Sequence, residues 1–170
     1  MTIHVSNQII NKEWTDYNNH LNMAYYVLIF DKAWEVMLEK FQMGEKSAKT
    51  TKRSTMVVET HTTYNNEVKE GDEVEIVLTY FDHDKKRLHF KLEMIEKKTK
   101  KLSSTIEMLA LYIDLNKRKV CEFENEKYYF VFWRNHNNEA RSTNVSHKEL
   151  FEWFKIDQAE FDKKFMENPD

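Results

Sequence analysis

Glycine and proline are nearly missing from this chain of 170 residues, which has only Gly44, Gly71 and Pro169. Phosphate-cradling loops need glycine where the backbone closes on a phosphate. Neither a P-loop nor a dinucleotide-binding fingerprint is present, so nucleotide hydrolysis and the common nicotinamide-dependent dehydrogenases are excluded. Cysteine occurs once, as Cys121, which rules out an internal disulfide and makes a reducing cytoplasm the expected setting. There the sequon formed by Asn144, Val145 and Ser146 carries no meaning. No apolar run approaches the ~20 residues that span a bilayer, and residues 1–7 lack the basic and apolar regions of a secretory signal; no membrane partner is expected. Lys plus Arg number 26 against 29 Asp plus Glu, a net charge of −3, so the basic excess of a nucleic-acid binder is absent. With no His-Glu-x-x-His run and no Cys/His pair, neither a metal nor a cofactor is expected. What is there is a globular composition, 41% hydrophobic and 32% charged, long enough for one domain with a substantial core.

Residues 4–12, with Val5, Ile9 and Ile10, suit a first strand. A helix is expected to begin near Asn22 and to end at residues 41–44, with Gly44 as its C-terminal cap. Between Met23 and Phe30 it is apolar nearly all round, the mark of a helix buried on most of its surface. Asp31, Glu35 and Glu39 then give its second half a solvent face. Residues 46–53 read as a polar, basic loop. Beyond them the period changes to two: Met56, Val58, Thr60, Thr62 and Tyr64; then Val74, Ile76, Leu78 and Tyr80; then Leu88, Phe90, Leu92 and Met94; then residues 102–114. Polar turns separate these runs, which predicts a four-stranded antiparallel meander. Strands of about ten residues exceed the usual five or six and imply a curved sheet. Its apolar face must be covered, and the buried helix is the element available. Strand, long helix and four long strands wrapped around that helix form an α+β hotdog arrangement, assigned to residues 1–122. So broad an apolar helix surface also points to a second subunit covering part of it. Residues 123–170 are expected to form an aromatic and helical extension packed on the same domain. It contains the run from Tyr128 to Trp133 and two short helices marked by capping boxes, Ser146 with Glu149 and Asp157 with Glu160.

The run from Trp14 to Tyr26 crowds a carboxylate (Asp16), an imidazole (His20) and a carboxamide (Asn22) just ahead of the long helix. Each has an ordinary explanation when taken singly: Asp16 as a capping acid, His20 as a hydrogen-bonded structural imidazole, Asn22 as an N-cap. Together they stand where a helix start offers unpaired N–H groups and a partial positive charge, the setting for acyl chemistry. The pattern Trp14-x-Asp16-x-x-x-His20-x-Asn22, followed by Tyr25, Tyr26 and Phe30-Asp31, resembles the signature of 4-hydroxybenzoyl-CoA thioesterase-type hotdog enzymes. Within that family it is most similar to the betainyl-CoA thioesterases of carnitine breakdown, which the turn His83-Asp84-x-Lys86-Arg87-Leu88-His89 also resembles. Asn19 stands where the family usually has glycine, and asparagine tolerates a left-handed backbone better than most residues.

The resemblance implies an acyl-CoA thioesterase with acyl-CoA as its partner and water as acceptor. Asp16 would be the general base or the nucleophile. His20 and Asn22 would support it, and backbone N–H groups near Leu21 to Ala24 would receive the oxyanion. A short, betaine-like acyl group would seek the aromatic faces of Trp14, Tyr17, Tyr25, Trp34 or Tyr64, or the carboxylate of Asp31. CoA phosphates need cations, and among basic clusters that otherwise serve solubility, Arg53 and Arg87 are the candidates. His61 reads first as a surface histidine and, in the alternative, as lining a cleft beside Glu59. A homodimer or dimer-based oligomer is expected. The alternatives are a non-catalytic hotdog module that binds acyl-CoA and, less favoured, a hotdog hydratase or dehydratase.

Overall fold

The computed structural model describes residues 3–124 and Lys127. Its elements are β1 (Ile3–Ile9), a single 3₁₀ turn (Lys12–Trp14), α1 (Met23–Lys40), α2 (Glu45–Thr51), β2 (Arg53–Tyr64), β3 (Glu73–His83), β4 (Arg87–Glu96), β5 (Leu102–Asp114) and the short β6 (Lys119–Val120). The expected aromatic run from Tyr128 to Trp133 and the helices capped at Ser146 and Asp157 lie outside the described residues. No described helix is long and apolar enough to cross a membrane.

The long helix wrapped by a curled antiparallel sheet is the hotdog arrangement. Tyr26, Ile29, Phe30, Ala33, Trp34 and Met37 are the buried residues of α1, a stripe at helical spacing that faces the sheet. Rings of α1 meet three different strands: Trp34 stacks on Phe90 of β4 at 4.1 Å, Phe41 at the helix end meets Phe81 of β3 at 5.3 Å, and Tyr26 meets Tyr64 of β2 at 5.2 Å.

The strand order corrects the expected meander. It runs β1-β3-β4-β5-β2, with β6 paired to the end of β5. Only β3, β4 and β5 follow one another as hairpins. β2 pairs with β5 rather than β3, so residues 65–72 cross the end of the sheet instead of forming a tight turn. Val68 within this crossing is fully buried; an apolar residue in a polar connection is the mark of a segment that packs rather than loops.

Two irregularities also shift the expected alternation. The β2–β5 register breaks between Val57 and Glu59, and the β3–β4 register breaks between Leu78 and Tyr80. Each break inserts one residue, and one extra residue sends every later side chain to the opposite face. Val57 therefore joins Thr60, Thr62 and Tyr64 on the helix side, where a strict period of two from Met56 predicts Val58. Phe81 replaces Tyr80 on the inner face, and Tyr80 is exposed.

Three helix expectations change as well. Residues 46–53 are not a loop throughout, because α2 occupies most of them. Gly44 is the N-cap of α2 rather than the C-cap of α1; α1 closes on Gln42 at φ 55°, with Met43 N–H donating to Leu38 C=O at 2.8 Å, a Schellman ending. The first half of α1 is not buried all round: Met23, Val27 and Leu28 are exposed.

Candidate active site

The Trp14–Tyr26 run folds into a closed turn. Asp16 N–H donates to His20 C=O at 2.9 Å and Asn19 N–H donates to Asp16 C=O at 3.0 Å. Such closure needs one left-handed residue, and Asn19 supplies it at φ 61°. The flanks are tied together, since Asn22 N–H donates to Trp14 C=O at 2.9 Å.

Asp16 points its carboxylate back into this turn. Its Oδ1 accepts from Asn18 N–H at 2.8 Å and from His20 N–H at 3.3 Å. Burial alone would raise its pKa. The N–H donors of Asn18 and His20, with the Asn18 side chain and the nearby His20, outweigh that and hold the carboxyl below its ordinary 3.8. Asp16 is therefore an anion at neutral pH, and neither backbone bond uses Oδ2.

His20 supports Asp16 through its backbone, while its ring turns outward to Glu67, with Nε2 standing 2.8 Å from Oε2. Asn22 caps α1, its side-chain oxygen accepting from Ala24 N–H at 3.0 Å. Asn22→Ala is expected to cost about 1 kcal/mol of stability, read as a lowered urea midpoint with unchanged slope.

The amides at the helix start are mostly engaged. Leu21 N–H donates to Val68 C=O, Asn22 N–H to Trp14 C=O and Tyr25 N–H to Asn22 C=O, each at 2.9 Å, and Ala24 N–H is taken by the cap. Met23 N–H alone in this run has no acceptor among the described residues, and its side chain is exposed.

The remaining candidates separate into two groups. Trp14 and Tyr25 stack at 5.8 Å, and Lys32 Nζ stands 5.2 Å over the Trp14 ring, so these aromatic faces already have partners. Tyr17 is 93% exposed. Asp31 is exposed and shares a helical face with Val27 and Met23, one and two turns back. Arg53 and Arg87 are not brought to Asp16 within one chain. Arg53 opens β2 at the end opposite Tyr64 and pairs with Glu124 at 3.4 Å. Arg87 opens β4, and its Nε donates to Asp84 Oδ2 at 2.6 Å. A cleft of about 650 Å³ lies there, lined by Arg87 with Glu59, His61, Asp82, His89 and Glu107. His61 thus lines a cleft beside Glu59, the alternative reading of this histidine. Nearer the Asp16 turn, a cleft of about 420 Å³ opens beside Glu67, with Lys69, Lys98 and Lys101 on its walls. Sequence reading missed Glu67 and these lysines because they sit in connections, where nothing local ties them to residue 16. Among the described residues no group of three His, Cys, Asp or Glu is arranged to hold a metal ion.

Comparison with known proteins bears on this arrangement. Residues 10–131 match the model of the Thioesterase-like superfamily. A betainyl-CoA thioesterase of Pseudomonas aeruginosa is 30% identical over 114 residues, 67% of this chain and 72% of that protein. A hypothetical protein of Staphylococcus aureus, solved in complex with CoA, aligns with a TM-score of 0.75 at 26% identity, over 81% of this chain and 85% of the other. A 1,4-dihydroxy-2-naphthoyl-CoA thioesterase from Synechocystis shares the fold with a TM-score of 0.68 at 14% identity, over 77% of this chain and 95% of that one.

Proposed function

From the premise that this chain belongs to the thioesterase-like superfamily, we propose that it hydrolyses a short-chain, betaine-like acyl-CoA to the free acid and CoA, with Asp16 as the reacting carboxylate. The observation that carries this reading is an ionised Asp16, its Oδ2 clear of both backbone bonds, in the turn that leads into α1, whose first amide, Met23 N–H, has no acceptor among the described residues.

Thioester hydrolysis suits so small a set of groups. Thiolate is a good leaving group, so no strong general acid is needed, whereas the oxyanion needs a donor. Met23 N–H, reinforced by the positive end of the α1 dipole, is that donor. In the base route, Asp16 takes a proton from water as the water oxygen attacks the carbonyl carbon; the tetrahedral oxyanion then collapses and expels CoA thiolate. In the nucleophile route, Asp16 Oδ2 itself attacks, CoA thiolate leaves, and water hydrolyses the resulting anhydride. His20 and Asn22 hold the turn in both.

The acyl group enters from the exposed side of the turn. Because Trp14 and Tyr25 already stack on each other, the accessible faces for a trimethylammonium group are those of Tyr17 and Tyr64, with Asp31 as the available carboxylate. A homodimer supports this arrangement. The free edge of β2 and the exposed Met23, Val27 and Leu28 of α1 suit a second copy, and an antiparallel pairing along β2 sets the Arg53 end of one copy beside the Tyr64 end of the other. Arg53 then reaches the phosphates of CoA. Arg87 can join it only by releasing Asp84. A single cysteine, Cys121, supports a reducing cytoplasm as the setting of this reading.

A thiol-release assay over an acyl-CoA panel tests the substrate. Betainyl-CoA is expected to give a kcat/KM at least about tenfold above uncharged acyl-CoA of equal length, the size of one desolvated cation–π contact. Equal rates across the panel would remove the cationic substrate, and binding of every member without thiol release would leave an acyl-CoA-binding module.

A further inference from the structure

A carboxylate with no part in the proposed reaction holds the Asp16 turn from outside. Glu67 lies in the crossing between β2 and β3, and its Oε2 is 2.8 Å from His20 Nε2. The backbones beneath the two side chains are joined as well: His20 bridges Lys69, and Leu21 N–H donates to Val68 C=O at 2.9 Å. Lys69 Nζ stands 3.5 Å from the other oxygen of Glu67, which keeps the carboxylate facing this corner.

A neutral imidazole donates from one nitrogen and accepts at the other, and the partner of one nitrogen decides the state of both. An ionised carboxylate can only accept, so Glu67 takes Nε2–H and leaves the His20 lone pair on Nδ1. Ring and turn are coupled, because His20 N–H reaches Asp16 Oδ1 at 3.3 Å and His20 C=O accepts from Asp16 N–H at 2.9 Å. A displacement of the His20 backbone therefore moves Asp16 with it, and the Glu67 contact holds the side chain that this backbone carries. We infer that Glu67 is a positioning residue for the thioesterase site, fixing the tautomer and orientation of His20 and through its backbone the aim of Asp16. This rests on the reading of Asp16 as the reacting carboxylate. The two side chains are 35% and 55% exposed, and contacts so exposed contribute little to global stability. The effect of Glu67 therefore falls on geometry.

Glu67→Ala and Glu67→Gln in the full chain test the inference. Glu67→Ala is expected to lower kcat about tenfold with KM within about twofold, whereas glutamine, whose carbonyl still accepts from Nε2–H, stays within about threefold of wild type. Nitrogen NMR of the His20 ring at alkaline pH should show the Nε2–H tautomer in wild type and Glu67→Gln, and a mixture of tautomers in Glu67→Ala. Wild-type kcat in Glu67→Ala, or a loss of kcat with the His20 tautomer unchanged, overturns the positioning role. If the wild type hydrolyses no acyl-CoA, the reading of Asp16 fails, and the tautomer measurement still decides whether Glu67 governs His20.

Discussion

Asp16→Asn is expected to lower kcat by roughly a thousandfold, with KM changed no more than a few-fold. Asparagine keeps the size of the side chain, and its carbonyl oxygen can still accept from Asn18 and His20, so the turn survives. The negative charge is lost, and an amide nitrogen replaces Oδ2. A loss confined to kcat marks an interaction made in the transition state rather than in the bound substrate. The pH profile gives a second reading. The N–H donors around Asp16 outweigh its burial and hold the folded carboxyl below 3.8. A depressed carboxyl is protonated only as pH falls through its folded value, so activity that depends on the anion is complete at neutral pH and fails only below that range. An acid limb between about pH 5 and 7 belongs to a different group. Hydrolysis in ¹⁸O-water then separates the two routes. Label in the Asp16 carboxyl after one turnover requires an anhydride that water opens at the Asp16 carbonyl carbon and so marks the nucleophile route, since base catalysis puts the label in the product acid alone. Full activity in Asp16→Asn would remove Asp16 from the chemistry altogether.

The second large effect concerns assembly. Val58→Asp is expected to weaken self-association by roughly a hundredfold or more and to turn the protein into a monomer in sedimentation experiments. β2 has 12 residues and uses one side for β5, leaving a long free edge with no proline in it; such an edge is a template for another strand. Val57 and Val58 are 39% and 54% exposed, and Met23, at 67%, adds apolar area on α1. A two-fold axis through an antiparallel β2 pair passes near the middle of the strand, so a charge at Val58 meets its own copy across the axis. Activity should fall with the dimer. Arg53 stands roughly 36 Å along β2 from Tyr64 at about 3.3 Å per residue, a span that one chain does not close. A monomeric Val58→Asp protein with unchanged kcat and KM would show that each chain carries a complete site.

Local chemistry made part of this molecule legible in the sequence. The left-handed Asn19, the Asn22 cap and the start of α1 follow from short-range rules, and the polar turns predict the β3–β4–β5 hairpins. Pairings between distant segments leave no such trace. That β2 lies beside β5 rests on a ladder between residues about forty to sixty positions apart, and the bulges at Val58 and Thr79 reverse the faces without altering the apolar pattern that precedes them. Glu67 is invisible for the same reason: its partner is His20, and only the crossing brings the two together. The helix start showed a row of N–H donors, whereas tertiary bonds from Leu21 and Asn22 leave Met23 as the open one.

That crossing also sets a timetable. Synthesis delivers the chain from its N-terminus, so the Asp16 segment exists early but has nothing to lean on until residues 67–69 have emerged. β2 in turn waits for β5, as the bond between Thr63 and Thr105, 42 residues apart, makes plain. Closing such loops takes its entropy before any contact returns it. The Asp16 turn, written near the beginning of the sequence, therefore becomes whole only when a segment about fifty residues further on has folded against it.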